Sequence, residues 1–464
     1  MSMGTLAMVA TELGGQLIGA DRAFESVSTD TRSLSQGQLF FALPGERYDA
    51  TQFVAEAASR GAAGVVVERQ CDCELPQVRV TDTRKALGKL ARAWRNGFTL
   101  PVIAVTGSNG KTTVREMIAA IMRAEHSVAY DSILATQGNL NNDIGLPLTV
   151  LELREHHRAA VLEMGANHPG EIATLANIAG PQIGVITNAA PAHLEGLGSI
   201  ADVAVTKGEL LDELPQSGTA VLNCDDAFFD YWDKRRQVRN RSSFGVASIA
   251  DYRAENIRAR MEAGEPSLQF TLHCPDGAID LCIAMAGRHN VLNALAAAAA
   301  AQSAGASIGA IADGLAAVVN VAGRLRPLQS SSGTMIYDDS YNANPASVSA
   351  AIEFLAGVAA PRWLVFGDMG ELGDSGEILH REIGAAAREA GIDRLFCIGA
   401  LSKATAEAFG PDAEWHETLN GLWASLQNQL PPRLNILIKG SRFMGLNRLV
   451  EDLVAFGAQM EPES

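Results

Sequence analysis

The chain has 464 residues, a formal net charge of −16 at neutral pH, and a composition of 47% hydrophobic and 19% charged residues. That length is too great for one compact core and suits roughly two to four domains, and the composition is that of a globular chain, not a disordered one. The acidic balance argues against a nucleic-acid partner, which would need a basic footprint, so an anionic substrate has to be met by locally gathered cations.

Six cysteines (Cys71, Cys73, Cys224, Cys274, Cys282, Cys397) show no C-x-x-C pair and no disulfide-like spacing, which points to a reducing cytoplasm. The opening "MSMGTLAMVATELGG" lacks a basic n-region, so no signal peptide is expected. The alanine-rich residues 295–319 are interrupted by Gln302 and Asp313 and read as two closely packed helices; no membrane insertion is expected.

In chain order, the strand-like runs "QLFFAL" and "GVVVE" flank a helical segment at residues 53–60, a small α/β unit, and Thr83 is read as the cap of a helix reaching Trp94. Residues 102–105 read as a buried strand and 112–123 as a helix. Between them lies "GSNGKTT". Gly107 and Gly110 let the backbone turn so that N–H groups and the helix N-terminus face an anion, while Lys111 reaches the outer phosphates and Thr112 meets a magnesium ion. The first glycine of G-x-x-x-x-G-K-[ST] is missing; Val105 stands in its place.

"AAVLEM", "QIGVITN" and "GTAVLN" continue as strands alternating with helices, the pattern of a mostly parallel sheet. Within residues 252–285, "SLQFTLHCPDGAIDLCIAM" reads as two strands around an Asp276-Gly277 turn, an antiparallel extension. After Gly323, "TMIYDDS", "RWLVFGDM", "RLFCIG" and "LNILIKG" start a second open sheet of Rossmann-like topology, with ligands expected at the carboxyl ends of its strands. The expected fold class is α/β in three domains: a small N-terminal α/β domain over 1–82, a central ATPase-like domain with a mostly parallel sheet over 83–322, and a C-terminal Rossmann-like domain over 323–464.

Glu163 closes "AAVLEM", His193 follows the strand ending at Asn188, and Lys207 lies further on in "VAVTKGELL". Carboxylate, imidazole and the Thr112 hydroxyl are all acceptable magnesium neighbours. By residue type alone Lys207 is a solvated helix lysine, Asn290 an N-cap, Asn293 a helix-surface residue and Arg324 a linker arginine. Asn344-Pro345 is a good N-cap and N1 pair, and Asp339 and Asn342 stand just after a strand.

The motifs "GSNGKTT", "TQGNLNNDIGLP", "LEMGANHPGEI", "NAAPAHLEGLGS", "GRHNVLNALAA", "AGRLRP", "DDSYNANPASV" and "FGDMGELG", taken together, resemble the Mur ligases of peptidoglycan synthesis. The resemblance spans nearly the entire chain, from "STDTRSLSQGQLFFALPGERYDA" to "KGSRFMGL". It accounts for the shortened loop, which is the family's own form. It implies a cytoplasmic, monomeric ATP- and Mg²⁺-dependent ligase in which the γ-phosphate goes to a substrate carboxylate and an amine then attacks the acyl phosphate.

Within the family, the match is to the branch that joins D-alanyl-D-alanine to UDP-N-acetylmuramoyl tripeptide. The N-terminal domain would then hold the UDP end, while the C-terminal domain closes over ATP and brings the incoming amino component. "DDSYNANPAS" and "NAAPAHLEGLGS" favour that branch over another Mur-like ligase or a folylpolyglutamate synthase relative; a nucleotide-dependent switch would show no amine-dependent turnover. For the tripeptide's third residue, meso-diaminopimelate and lysine both stay open.

The resemblance also implies site residues. Thr112, Glu163, His193 and Lys207 would serve the metal, Lys207 as a carbamate formed with CO₂. Gly107, Ser108, Asn109, Gly110, Lys111, Thr112 and Thr113 would hold ATP phosphates, with Asn290 and Asn293 on the adenine side and Arg324 closing on the phosphates. Asp30, Arg32, Asp49, Thr136 and Asn139 would meet the UDP-substrate, and Asp339 and Asn342 belong to the substrate site. One departure stands out: where the family commonly has D-G-H-x-F, Asp49 and Phe53 remain but Ala50 and Thr51 replace the glycine and histidine.

Overall fold

The computed structural model describes residues 2–45, 50–127, 130–192, 194–262, 265–330, 333–431 and 433–456. Among the described residues, sheets of five, nine and six strands follow one another along the chain, with a two-stranded antiparallel pair, Gly4–Thr5 and Ala23–Phe24, near its start, and the class is α/β as expected. The five-stranded sheet runs Gln16–Ile18, Gln77–Arg79, Gly64–Val67, Leu39–Phe41, Val27–Ser28. "QLFFAL" and "GVVVE" are both strands in it. The other three are too short to show a readable alternation, which is why the sequence did not reveal them.

The helix Thr83–Asn96 is capped by Asp82, not Thr83: the Asp82 carboxylate accepts from the Lys85 amide at 2.8 Å. Thr83 is fully buried and its amide and hydroxyl instead donate to Glu68. This helix joins the first two sheets. Its Leu87 and Leu90 sit in one apolar cluster with Leu6, Leu39 and Val66 on one side and Val102, Leu146 and Leu162 on the other. A continuous dry core of that kind leaves no plane along which the N-terminal unit could slide.

In the nine-stranded sheet, Val102–Thr106 lies between Ala159–Glu163 and Ile183–Ile186, parallel to both. All three are buried end to end, as expected of strands covered by helices on both faces. Thr219–Asn223 and Asn240–Gly245 extend it in parallel. The antiparallel extension has three strands, not two: Tyr252–Glu262 lies parallel to Asn240–Gly245 and pairs antiparallel with Glu265–Cys274, which pairs antiparallel with Gly277–Ile283. A register shift between Glu255 and Arg258, with Asn256 at φ 56°, breaks the alternation that would have betrayed the first of them.

The alanine-rich stretch forms the helices His289–Ser303 and Ile308–Ala316. A Cβ on Gly314 would lie 2.4 Å from the Ile121 Cα, so small residues here serve close contact with the helix Lys111–His126.

The six-stranded sheet has the order Arg326–Gln329, Met335–Asp339, Asn435–Lys439, Arg362–Gly367, Arg394–Ile398, Ala413–His416, parallel except at its first pair. Apolar clusters cover its two faces. Its carboxyl ends point back at the central sheet, which sets up the site. Among the described residues no helix is long and apolar enough to cross a membrane.

Candidate active site

The strand Val102–Thr106 delivers its loop to the start of the helix Lys111–His126, whose N-cap is Gly110 at φ 82° with no side chain capping it. The first-turn amides are therefore left for an anion. Glycine is required by close approach as well as by φ: a Cβ on Gly107 would lie 1.9 Å from Thr187 Oγ1, and one on Gly110 would lie 2.4 Å from Asn293 Oδ1. Val105, by contrast, is fully buried inside the strand.

The loop is braced from the strand end opposite. The Ser108 hydroxyl donates to Ala190 O at 3.0 Å and the Asn109 amide to Asn188 Oδ1 at 2.9 Å. Lys111 folds back over it, its Nζ donating to Gly107 O at 2.6 Å and Ser108 O at 3.1 Å. Burial holds the Lys111 pKa below the usual lysine value, with Glu163 pulling it up and Arg324 pushing it further down.

Glu163 ends the neighbouring strand, and its side chain is buried beneath the loop. Its Oε2 accepts from the Thr112 hydroxyl at 2.8 Å and lies 3.4 Å from Arg115 Nη1, while Oε1 accepts from Asn141 Nδ2 at 2.8 Å. Across the gap, Arg324 Nη2 donates to Thr112 Oγ1 at 2.7 Å. A second bridge joins Asn344 Nδ2 to Asn109 Oδ1 at 2.7 Å, and a third joins the Glu195 amide to Glu371 O at 3.2 Å. These contacts close a cleft of about 1570 Å³ between the central and C-terminal sheets, lined by Lys111, Glu163, Asn293, Arg324, Tyr341 and Lys439 among others.

Comparison with known proteins agrees along the whole length. The Mur ligase middle domain matches residues 105–301, the Mur ligase glutamate ligase domain 323–442, and the Mur ligase family catalytic domain 23–95. The UDP-N-acetylmuramoyl-tripeptide–D-alanyl-D-alanine ligase of Escherichia coli K12 is 42% identical over 97% of this chain and 98% of its own. The chain belongs to the Mur ligase family. Among solved structures, a crystal structure of MurF from Acinetobacter baumannii superposes with a TM-score of 0.90 at 35% identity, over 97% of this chain and 98% of that one. The Thermotoga maritima MurF ligase in complex with ADP superposes at 0.81 with 26% identity, over 93% of this chain and 97% of that one.

The donor set of this Mur ligase fits a magnesium ion in part. The Thr112 hydroxyl and the Glu163 carboxylate are hard oxygen donors held side by side. Among the described residues no three His, Cys, Asp or Glu side chains gather into a metal cage. Two protein oxygens beside a phosphate loop suit an ion that keeps waters and takes phosphate oxygens as further ligands. His193 and Asp49 lie outside the described residues.

Lys207 is no solvated helix lysine. It sits in the helix Ile200–Asp212, opened by a Ser199–Asp202 capping box, and is only 1% exposed. Burial, then the charge of Lys111, lower its pKa to about 7 against the pull of Glu171 and Glu209. Asn290 is not an N-cap: the helix His289–Ser303 starts at Arg288 without a side-chain cap. Asn290 Nδ2 donates to Ala286 O and its Oδ1 accepts from Asn293 Nδ2 at 2.8 Å, so Asn290 holds the Asn293 side chain, which faces Gly110 instead of the open helix surface.

Of the other expected positions, Ser108, Asn109, Thr113, Asn139, Asp339 and Asn342 line the cleft. Asp339 is engaged by Lys439 Nζ at 2.6 Å, which also donates to Asn342 O at 3.1 Å. Thr136 is buried and its hydroxyl accepts the Glu163 amide at 2.9 Å, supporting the carboxylate from behind. Asp30 and Arg32 pair with each other at 2.6 Å on the first domain and are not part of the cleft wall. The hydrogen bonds from Arg32 hold the Asp30 pKa below the usual carboxylate value.

Sequence reasoning missed Asn141, Arg115 and Lys439. Asn141 stands two positions after Asn139 in the same motif, and Arg115 lies one turn after Lys111 on the same helix face. Both were within reach of a helical or motif argument. Lys439 closes the run "LNILIKG", at the carboxyl end of a strand where ligands are expected, and was within reach of that argument.

Proposed function

We propose that this Mur ligase joins D-alanyl-D-alanine to UDP-N-acetylmuramoyl tripeptide in the cytoplasm, splitting ATP to ADP and phosphate. The observation that carries the reading is the meeting of Lys111, Thr112 and Glu163 with Arg324 from across the cleft, in a chain matching the Escherichia coli ligase of that name over its length. A carboxylate is a poor electrophile. Transfer of the γ-phosphoryl group from ATP to the tripeptide carboxylate releases ADP and gives an acyl phosphate. The dipeptide amine attacks the acyl carbon, loses a proton and expels phosphate, leaving the amide.

Lys111 and Arg324 approach the transferring group from opposite sides and neutralise its charge as it spreads over the phosphoryl oxygens. Gly107, Ser108, Asn109, Gly110 and Thr113 form the phosphate cradle, and Asn290 and Asn293 take the adenine side. Thr112 and Glu163, with His193 and a carbamate on Lys207, would hold magnesium, which supplies charge neutralisation between the phosphate and the carboxylate when bound. Asp30, Arg32, Asp49, Thr136 and Asn139 serve the UDP-substrate, and Asp339 and Asn342 the incoming dipeptide. The domains divide at 1–82, 83–322 and 323–464, in a monomer.

Phosphate release from ATP in the presence of UDP-muramoyl tripeptide tests this. D-alanyl-D-alanine should support turnover, and single D-amino acids or glutamate should not. Turnover with glutamate would move the chain to a folylpolyglutamate-type reaction, and release independent of any amine would mark a nucleotide switch.

A further inference from the structure

Among the described residues the cleft is lined by five arginines and lysines, Arg84, Lys111, Arg324, Lys439 and Arg442. Four are committed within the protein. Arg84 pairs with Asp143, Lys111 donates to loop carbonyls, Arg324 donates to Thr112, and Lys439 pairs with Asp339. The Arg442 guanidinium alone among these makes no hydrogen bond or ion pair with any described residue. Arg442 is an exposed residue at the cleft wall, and a guanidinium there with its donors unspent suits a planar anion, which it can grip through two parallel hydrogen bonds.

Arg442 follows the strand Asn435–Lys439, in the short helix Arg442–Met444 at the carboxyl edge of the C-terminal sheet. Open α/β sheets bind ligands at that edge. The loop is fixed from beside it, where the Gly370 amide donates to Ser441 Oγ at 2.8 Å. Arg442 Cζ lies 5.5 Å from the centre of the Tyr341 ring, and Arg324 Cζ lies 4.5 Å from the same ring. Tyr341 thus spaces the arginine that reaches the phosphate loop from the arginine that does not. Phe443 is 70% exposed, and its ring lies so close to Gly370 that a Cβ there would come within 2.8 Å of it. An apolar wall beside a free guanidinium matches the methyl and carboxylate of a terminal alanine.

We infer that Arg442 anchors the C-terminal carboxylate of the incoming dipeptide, with Phe443 and Tyr341 walling its side chains, and so selects a free-acid dipeptide. The inference rests on the ligase reading above. The role is one of positioning: the carboxylate is held and the amine is presented to the acyl phosphate, with no bond made or broken at Arg442.

The test measures Arg442→Ala and Arg442→Lys against D-alanyl-D-alanine and against D-alanyl-D-alaninamide, which lacks the carboxylate. Losing a charge-assisted pair should raise KM for the acid roughly 10- to 100-fold in Arg442→Ala. The wild type's preference for the acid over the amide should collapse in the variant, and Arg442→Lys should recover part of it. Acyl phosphate formed without dipeptide and trapped with hydroxylamine should be unchanged in yield and in ATP dependence, which also reports that the variant is folded. An unchanged KM, an intact acid preference, or a raised KM for ATP would overturn the assignment. Failure of the wild type to use either dipeptide would instead overturn the ligase reading itself.

Discussion

Lys207 is an ammonium buried to 1% exposure near a second lysine. Only a neutral amine attacks CO₂, and an ordinary lysine is charged at neutral pH. Burial that lowers the pKa to about 7 makes the neutral form available there. A carbamate on Lys207 should therefore give a carbon-13 signal in metal-free enzyme under labelled CO₂ at fixed pressure, fading as the pH falls below about 7 and missing from Lys207→Ala. Lys207→Ala should lose most activity and regain part of it with a small added carboxylic acid. Lys207→Arg should not be rescued, since its guanidinium stays charged and fills the space. Full activity in the alanine variant would remove Lys207 from the metal site.

At the scale of an element, the helix Pro345–Ala356 shows one residue with two tasks. Asn344 caps it: Asn344 Oδ1 accepts from the Ser347 amide at 2.9 Å, and Ser347 Oγ accepts from the Asn344 amide at 3.0 Å. Its Nδ2 meanwhile bridges to Asn109 in the phosphate loop. Asn344→Ala should lower stability to urea by about 1 kcal/mol through the lost cap. Asn344→Ser keeps a good cap but is too short for the bridge, so it should hold its stability while KM for ATP rises. Equal effects of both variants on stability and KM would show that the bridge to the loop contributes nothing of its own.

For the whole molecule, the three domains are not joined alike. The first two share a core cluster through the helix Thr83–Asn96. Among the described residues, the third is tied to the second mainly by the turn at residues 323–325 and by polar bridges, from Arg324, Asn344 and Glu371 across the cleft and from Tyr337 Oη to Met261 Sδ at 4.0 Å, with Ala286 alone entering its apolar cluster from the second. That turn holds Gly323 at φ 72° and Leu325 at φ 53°, pinned by Asp338 and Asp339. Polar bridges of this kind are exchanged for water at little net cost, whereas a shared apolar core is not. Adding ATP and UDP-muramoyl tripeptide should then shrink the radius of gyration in X-ray scattering, and Arg324→Ala should blunt the change. A wild-type radius indifferent to both would mean that the C-terminal domain does not move.

The sequence alone determined the class and order of the sheets, because each long buried strand is a continuous apolar run ending in a glycine-rich or polar loop, and because the phosphate loop needs glycine and lysine at set spacings. "GSNGKTT", the strand ending at Glu163 and the Asn344-Pro345 cap were legible for these local reasons. Short strands, the strand broken at Asn256 and the cap at Asp82 were not, since their signals are shorter than one period or displaced by one residue. Only the tertiary structure decided that Lys207 is buried, that Asn141 and Arg115 hold Glu163, that Arg324 meets Thr112, and that Asn344 reaches the loop from another domain. A residue's charge and its helix are local properties, whereas its desolvation and its partner depend on which distant segment the fold packs against it.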